Sequence, residues 1–592
     1  MTIFCQILVT GLVIMLASLL LQSSKTIAFV ITDRSHHTIH HFQPFSLLAN
    51  NLDCQDDYDA IIVGSGMGSL VAGNVLVGAG RRVLMLESHS IPGGYTTNFY
   101  RKGFRFEVSN HLITGCERGG AVGDLLHDLH ASDRIEFIRL KELMRWVDPA
   151  HHIDYVVPLN LTDHIRHLSQ LFPNETKGIS EFYQLYYPIV EFVLMDRQKQ
   201  GIDKILHVLC NIPVLARLLL LKGKTAADIL DPFVKEPACR DIMTIMASIF
   251  GLDYTELDAP IFLFGSMAHF CEGAFYPKGG TGKFSRVLAD HFRELGGDLR
   301  LKVHVDEILL EHNRAAGVRI SRGPNSTITS EIRAQCVIVG CDINALVTKL
   351  CSPSLLPAAY VKNILDRVPG PSAVLVWAGL DLDLREYGIT TYEVIRNHNA
   401  QQPAAELLDH VMHTGDYSLL PFSGVTVYSN IDPTCCPPGK SVIASIFIAS
   451  EEVFKRTLDS PNGGEAYKAL KGRIQGQFME HMSCTLAIPD LAKHAEVVEV
   501  ATPITLKRYT GHRQGSFMGW KLTPSQGAFS NLPKQPPIVG LFTCGQWVGF
   551  GGVSNVMTTG LEAGKMADRF LTRKKSRSRH SLQSWTPGTR TS

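Results

Sequence analysis

The chain has 592 residues, of which 45% are hydrophobic and 19% charged, and a formal net charge of +1. That length exceeds one compact core and predicts roughly two to four domains, while the composition excludes collagen, coiled coil and wholesale disorder. Near-neutrality gives no electrostatic drive toward nucleic acid, and thirteen scattered cysteines without a CxxC pair point to neither a zinc site nor a disulfide framework.

The first element is an apolar run over residues 7–21, shorter than the about 20 residues a spanning helix needs. It reads as the core of a signal peptide, residues 1–28, with Thr26 and Ala28 as small residues before a cleavage point at Phe29. No Lys or Arg precedes the run, a departure from the usual signal pattern. Residues 29–55 are rich in His, Ser and Thr and poor in acids, like a transit peptide. Signal followed by transit-like segment resembles the two-part plastid address of algae whose plastids came from a eukaryotic endosymbiont. The alternatives are an uncleaved anchor and an endoplasmic reticulum membrane location.

From residue 56 a strand is predicted over residues 57–63, closed by glycine. Gly64 and Gly66 make a tight turn, and the missing Cβ of Gly66 lets backbone approach a pyrophosphate at the start of the next helix, residues 69–77. The last position of this GxGxxG pattern is Ser69. "RRVLMLE" supplies a second strand, and Glu87 falls about twenty residues after the turn, where a carboxylate can accept the ribose hydroxyls of an adenosine. Strand, turn, helix, strand and acid in this order predict a dinucleotide fold; the competing reading is a plain βαβ unit with a glycine turn.

The text that follows, "HSIPGGYTTNFYRKGFRFEVSNHLITG", resembles the extended flavin motif of the amine oxidase and phytoene desaturase flavoproteins, although Glu107 and Ser109 stand where that family usually has Asp and Gly. The resemblance implies FAD. Gly93 and Gly94 would let backbone pass close to the ribityl and phosphate groups, and Arg101 or Arg105 would balance phosphate charge. Residues 273–320, "CVIVGCDIN", "TPITLKRYTGHRQGSFMGW" and "GLFTCGQWVGFGGVSNVMTTGLEAG" resemble the central and C-terminal blocks of the same family, and its carotenoid isomerase and retinol saturase branch in particular. There YPKGG is typical, and Gly545-Gln546 can replace Gly-Asp.

The fold class implied is α/β, a Rossmann-like FAD-binding domain of the amine oxidase/phytoene desaturase type interleaved with a mixed α+β substrate domain. Its FAD-binding parts are expected at residues 56–120, 271–345 and 506–571. Within them residues 299–305 read as a strand followed by a turn at Gly317 and another strand at residues 336–339. By the resemblance, Val305 faces the adenine side. Gly551 and Gly552 precede a helix beginning at Val553, whose N-terminus points at phosphate or the flavin ring, although a simple helix-entry loop would need the same glycines.

The inserts, residues 121–270 and 346–505, would build the substrate half. The first contains "ILHVLCNIPVLARLLLLKGK", broken at Pro213, which reads either as an interfacial helix that guides a lipid-dissolved substrate inward or as a buried core helix. Residues 572–592 are basic and polar and read as a disordered tail with attraction to anionic lipid.

A flavin carries the hard chemistry itself, so the protein mainly orients substrate and excludes water. Candidate acid–base groups are His269, Glu272 and Tyr276 before the PKGG loop, with His111 after the flavin loop and Trp547 as a surface for stacking. Each also has an ordinary structural reading. The resemblance implies an FAD-dependent enzyme acting on a carotene or xanthophyll: a redox-neutral cis–trans isomerase or related hydratase, with membrane-surface association. Alternatives are a retinol-saturase-like reductase, a desaturase, and a colourless prenyl-lipid-binding protein of the same fold, like the inhibitors that extract prenylated GTPases from membranes. No metal is expected.

Overall fold

The computed structural model describes residues 58–583 except 109–111, 197–198, 200, 249, 324–327 and 399–401. The signal-like and transit-like segments, Ser109 and His111 lie outside the described residues. The chain divides into two units, one of residues 55–197 and 213–592, the other of residues 1–54 and 198–212. The described part of the second is the helix Gly201–Cys210, which exposes Ile202, Leu206 and Leu209. The predicted break falls at Asn211, and Pro213 sits in the first turn of the next helix, Ile212–Leu220, where its missing N–H leaves no hydrogen bond unmade.

The large unit is built on two seven-stranded sheets. The first begins with Tyr58–Val63, a strand with five of its six residues buried. It pairs in parallel with Val83–Glu87 on one side and with the C-terminal half of Thr329–Val339 on the other. Asp298–Leu301 extends the sheet in parallel beyond Val83–Glu87, and Leu541–Thr543 pairs in parallel with the end of Thr329–Val339. Parallel strands covered on both faces read as continuous apolar runs, and "AIIV" and "CVIV" are such runs.

The segment 298–321 differs from the predicted strand and turn. The chain breaks at Lys302, whose φ is +59°, and Lys302 N–H and Val303 N–H donate to the carbonyls of His89 and Glu87 at 3.0 and 2.9 Å. His304–Glu311 and Arg314–Ser321 then form a hairpin that turns at His312 and Asn313, both at positive φ, as a two-residue hairpin loop requires. Gly317 lies inside the second strand, opposite a register shift at Leu309/Leu310. Its glycine identity answers a close approach instead: a Cβ there would stand 2.1 Å from the Ile332 carbonyl oxygen of the next strand.

The second sheet runs Ala495–Ala501, Ser372–Leu380, Ser441–Ala449, Phe422–Val427, Glu393–Asn397, Glu142–Asp148, Ile153–Pro158. The two inserts therefore meet in one sheet, joined by the parallel pairing of Glu393–Asn397 with Glu142–Asp148. Helices cover it, and every residue of Ser372–Leu380 is buried.

The helix Met67–Gly78 is apolar nearly all round, the pattern of a helix buried on several sides. It crosses the closing helix Val553–Gln583 at glycine contacts: a Cβ on Gly560 would come within 2.1 Å of the Gly68 carbonyl oxygen. The closing helix runs through Gln583, so the expected disordered tail is helical for its first part. "TRKKSRSRHSLQ" has no Gly or Pro to stop it, and its Lys and Arg suit the negative end of the helix dipole.

Because the backbones touch at Gly560, Gly560→Ala should force the helices apart. The expected cost is about 1–3 kcal/mol, read as a lower melting temperature in a thermal melt.

Candidate functional site

The first strand delivers the chain to Gly64, at φ +89°, and the turn is then fixed by Glu87. Its Oε2 accepts from Ser65 N–H and Oγ–H at 2.8 and 2.7 Å, and its Oε1 from His89 N–H at 2.8 Å. A second glycine loop lies against the first. Gly93 N–H donates to the Ser65 carbonyl at 2.9 Å, Gly93 and Gly66 form a parallel bridge, and a Cβ on Gly94 would stand 3.5 Å from the Gly66 Cα. Gly93 itself, at φ +120°, is pressed on Thr96 and Ser285, whose Oγ–H donates to the Thr96 carbonyl at 2.6 Å.

Two helices start at this double loop. Met67–Gly78 has no side-chain cap and no acid in its first turn, and Val553–Gln583 has no first-turn acid. Their unpaired first-turn amides and dipole ends face a cavity of about 410 Å³ lined by Gly64, Gly66, Gly68, Gly94, Gly552 and Val553 among others. Ser69 at the end of the glycine pattern is accommodated from the other side, since a Cβ on Gly340 would come within 2.0 Å of the Ser69 Oγ.

Beyond the glycines the cavity is walled by Tyr95, His512, Gln546 and Trp547. His512 Nδ1 lies 3.1 Å from the Gln546 amide nitrogen and 3.3 Å from the Ser516 carbonyl oxygen. Its ring stands edge-on to Trp547 at 5.4 Å and tilted to Tyr95 at 5.5 Å. Burial pushes the His512 pKa below its ordinary value, so the ring is neutral at neutral pH. Burial likewise raises the Tyr95 phenol, whose hydroxyl donates to the Ser516 carbonyl at 3.1 Å. Trp547 Nε1 is buried with no partner among the described residues. The far side is mainly apolar: Leu112, Leu143, Met144, Ile245, Ile395 and Ile446, the last five from the second sheet and the helix Pro237–Ser248.

The structure thus brings together Gly64, Gly66, Ser69, Glu87, Gly93, Gly94, Gly545, Gln546, Trp547, Gly552 and Val553 around one cavity. Gly551 lies just behind it, where a Cβ would stand 3.0 Å from the sulfur of Met518, which does line it. Val305 is buried in the antiparallel hairpin, outside the lining. Arg101 is exposed and pairs with Glu499 at 2.8 Å, and Arg105 is buried against Asp432 at 2.5 Å; neither charge is turned to the cavity lining, because each carboxylate partner comes from the insert that folds over the hairpin.

The three acid–base candidates before the PKGG loop also lie outside the lining. His269 is 2% exposed, its ring 4.1 Å from that of Phe270, and burial first and His164 second lower its pKa to about 3. The Glu272 carboxylate accepts from Ala121 N–H at 3.3 Å, at the start of the helix Ala121–Asp128. Tyr276 donates its hydroxyl to the buried Glu107 at 2.7 Å. Sequence reasoning missed Tyr95 and His512 as cavity residues; the first directly follows the Gly93-Gly94 pair and the second lies in the quoted C-terminal block, so position beside a glycine loop was the available signal.

Residues 70–565 match the family model described as flavin containing amine oxidoreductase. The Danio rerio protein named all-trans-retinol 13,14-reductase is 25% identical over 531 residues, covering 86% of each chain. The Daucus carota protein named prolycopene isomerase, chloroplastic, is 23% identical over 478 residues, covering 78% of this chain and 72% of that one. Among solved structures, an oxidoreductase from Methanosarcina mazei aligns with a TM-score of 0.54 at 18% identity, covering 85% of this chain and 99% of that one. Cyclohexylamine oxidase from Brevibacterium oxydans aligns with a TM-score of 0.54 at 15% identity, covering 88% and 100%.

The cofactor is FAD, and the residues present fit it. The two helix N-termini are uncapped by acids, Gly66 has nothing within 4 Å of where a Cβ would stand, and the buried Trp547 Nε1–H lacks an acceptor. Gly66→Val should fill that open space and abolish most flavin retention, measured as flavin absorbance per protein after desalting, with the fold retained by circular dichroism. Histidines buried neutral give a second expectation. His164 and His269 are lowered to about 4 and about 3, so the unfolded chain binds protons that the folded chain refuses. The contribution of these two histidines should be complete above about pH 6.5 and be lost as pH drops from about 6.5 toward about 4, and melts across that window, compared between wild type and His164→Gln, check it.

Proposed function

The chain belongs to the flavin containing amine oxidoreductase family, and on that premise we propose that it is an FAD-dependent carotenoid-modifying enzyme, a redox-neutral cis–trans isomerase or related hydratase acting on a carotene or xanthophyll polyene. The observation that carries this reading is the composition of this cavity. The glycine cradle forms one side and Leu143, Met144, Ile395 and Ile446 form the other, so a long apolar molecule in contact with those walls lies against the cofactor site. A conjugated hydrocarbon chain offers no hydrogen-bond partner and is held by apolar area, at about 25 cal/mol per Å² removed from water.

Bound FAD supplies exchange of a hydrogen equivalent with a carbon of the polyene. In this reading Gly64, Gly66, Ser69, Glu87, Gly93, Gly94, Gly552 and Val553 hold the cofactor, and the uncapped helix starts receive its phosphates. Trp547 and Tyr95 confine the ring end, and the Trp547 Nε1–H supplies a donor where no protein acceptor exists. His512, kept neutral by burial, holds a proton on one ring nitrogen without placing a charge beside the polyene; its Nδ1 faces both the Gln546 amide nitrogen and the Ser516 carbonyl, and the tautomer sets which of the two it pairs with. The apolar wall limits water, which favours return of the hydrogen equivalent, and so isomerisation, over capture of the carbon by solvent. His269, Glu272 and Tyr276 take no part, since each is engaged or enclosed away from the lining.

A retinol-saturase-like reductase is the second reading, supported by the match to the Danio rerio reductase over most of both chains. The plastid setting rests on the N-terminal pattern and on the chloroplastic relative. Among the described residues no helix is long and apolar enough to cross a membrane, so surface association, where proposed, needs no spanning segment.

Product mass decides between the chemistries. Protein loaded with FAD and incubated anaerobically with a plastid pigment extract, with and without a flavin reductant, is expected to give a product of unchanged mass and shifted retention, dependent on reduction. A gain of water assigns the hydratase; gain of two hydrogens assigns the reductase, and loss of two assigns a desaturase.

A further inference from the structure

A second cavity, of about 580 Å³, adjoins the first. Ile245, Glu393, Ile395, Ile446, Phe517 and Met518 line both, so the two cavities adjoin along these six side chains. The near part of the second cavity continues apolar, with Phe250, Leu252, Phe447 and Ile448. Its other part is polar, formed by His151, Arg240, Asp241, Thr244, Asp253 and Tyr254.

Most of these polar groups are already engaged. The His151 imidazole is 2.8 Å from the fully buried Asp148 carboxylate, and the Arg240 guanidinium pairs with Asp231 at 3.2 Å and lies over the Tyr254 ring at 5.5 Å. The Thr244 hydroxyl donates to the Arg240 carbonyl at 2.9 Å, and Asp253 accepts from Thr255 N–H at 2.9 Å. Asp241 is different. Its carboxylate accepts no hydrogen bond from any described residue, and its exposed surface opens on the cavity. Asp241 is exposed, so a ligand donor that reaches it takes the place of solvent.

Resting on the polyene reading above, we propose that the second cavity is an end-group subsite for an alcohol: the apolar chain of the substrate lies along the shared wall and its terminal hydroxyl donates a hydrogen bond to Asp241. Desolvation raises the Asp241 carboxyl above its ordinary range, opposed by Arg240 and His151 and aided by Asp148 and Asp253. A hydroxyl partner suits that environment because it donates to the ionised form and accepts from the protonated one, whereas a hydrocarbon end placed against the carboxylate would strip its solvent and return no donor. The substrate of this subsite is therefore a hydroxylated polyene, and a hydrocarbon polyene of the same skeleton is discriminated against.

The test is equilibrium binding to the FAD-loaded full chain of two pigments with one skeleton, β-carotene and its dihydroxy derivative zeaxanthin, read by quenching of tryptophan fluorescence. Wild type should hold zeaxanthin about 10-fold or more tighter, the worth of a charge-assisted hydrogen bond. Asp241→Leu should bring the two affinities within about twofold by weakening zeaxanthin while β-carotene binds as well or better, and Asp241→Asn, which keeps an acceptor, should retain part of the preference. Equal binding of both pigments to wild type overturns the alcohol subsite and leaves the polyene reading standing. Equal weakening of both pigments in Asp241→Leu with flavin retained also overturns it, because that is a structural effect. Binding of neither pigment to flavin-loaded wild type overturns the polyene reading itself.

Discussion

One buried carboxylate, Glu107, holds the parts of the site in register. It is 2% exposed and accepts from the Tyr276 hydroxyl at 2.7 Å, from the Asn98 amide at 2.6 Å, from Thr281 N–H at 3.2 Å and from the Thr281 hydroxyl. Its own carbonyl receives Trp377 Nε1–H at 2.6 Å. Asn98 and Glu107 belong to the hairpin after the glycine loops, Tyr276 and Thr281 to the PKGG segment and its helix, and Trp377 to the buried strand Ser372–Leu380 of the second sheet. Burial raises the Glu107 carboxyl while these donors and Arg105 hold it down. A buried charge is costly unless each lone pair is met, so every one of these elements must be in place together.

Beside it the Arg105–Asp432 pair, both largely buried, receives Gly279 N–H on Asp432 at 2.8 Å. Loss of one partner of such a pair costs about 3–5 kcal/mol because the other is left charged and unpaired. The glycine at 280 follows from the same crowding, since a Cβ there would meet Glu107 at 2.3 Å. Charges that look available for phosphate in the sequence are thus consumed in joining the cofactor domain to the insert, and the phosphate end is left to backbone amides and helix dipoles, which carry no counter-charge and no long side chain to order.

The interleaved topology explains why one cavity serves both halves. The parallel sheet presents the ends of Tyr58–Val63 and Thr329–Val339 to the glycine turns, and the second sheet, assembled from both inserts, presents Met144, Ile395 and Ile446 to the same space. The glycine cradle and the apolar wall that faces it are therefore built by different sheets, and Glu107 with Trp377 ties the second of them to the hairpin that follows the glycine loops.

The sequence by itself determined the elements whose signal is local. Apolar runs closed by glycine, an acid at the end of the second strand, a glycine pair after it and another before Val553 each encode a backbone path that few residues other than glycine can follow, and these define the FAD cradle. Tertiary structure decided what depends on the partner across a contact. Gly317 looked like a turn and is a close approach to Ile332, because a missing Cβ signals both alike. Arg101 and Arg105 found carboxylates hundreds of residues away, Tyr276 was taken by Glu107, and His269 was buried against Phe270, because side-chain role follows from neighbours that periodicity cannot identify. The pairing of Glu142–Asp148 with Glu393–Asn397, and with it the second cavity and its uncommitted Asp241, exists only once two inserts far apart in the chain have folded into one sheet.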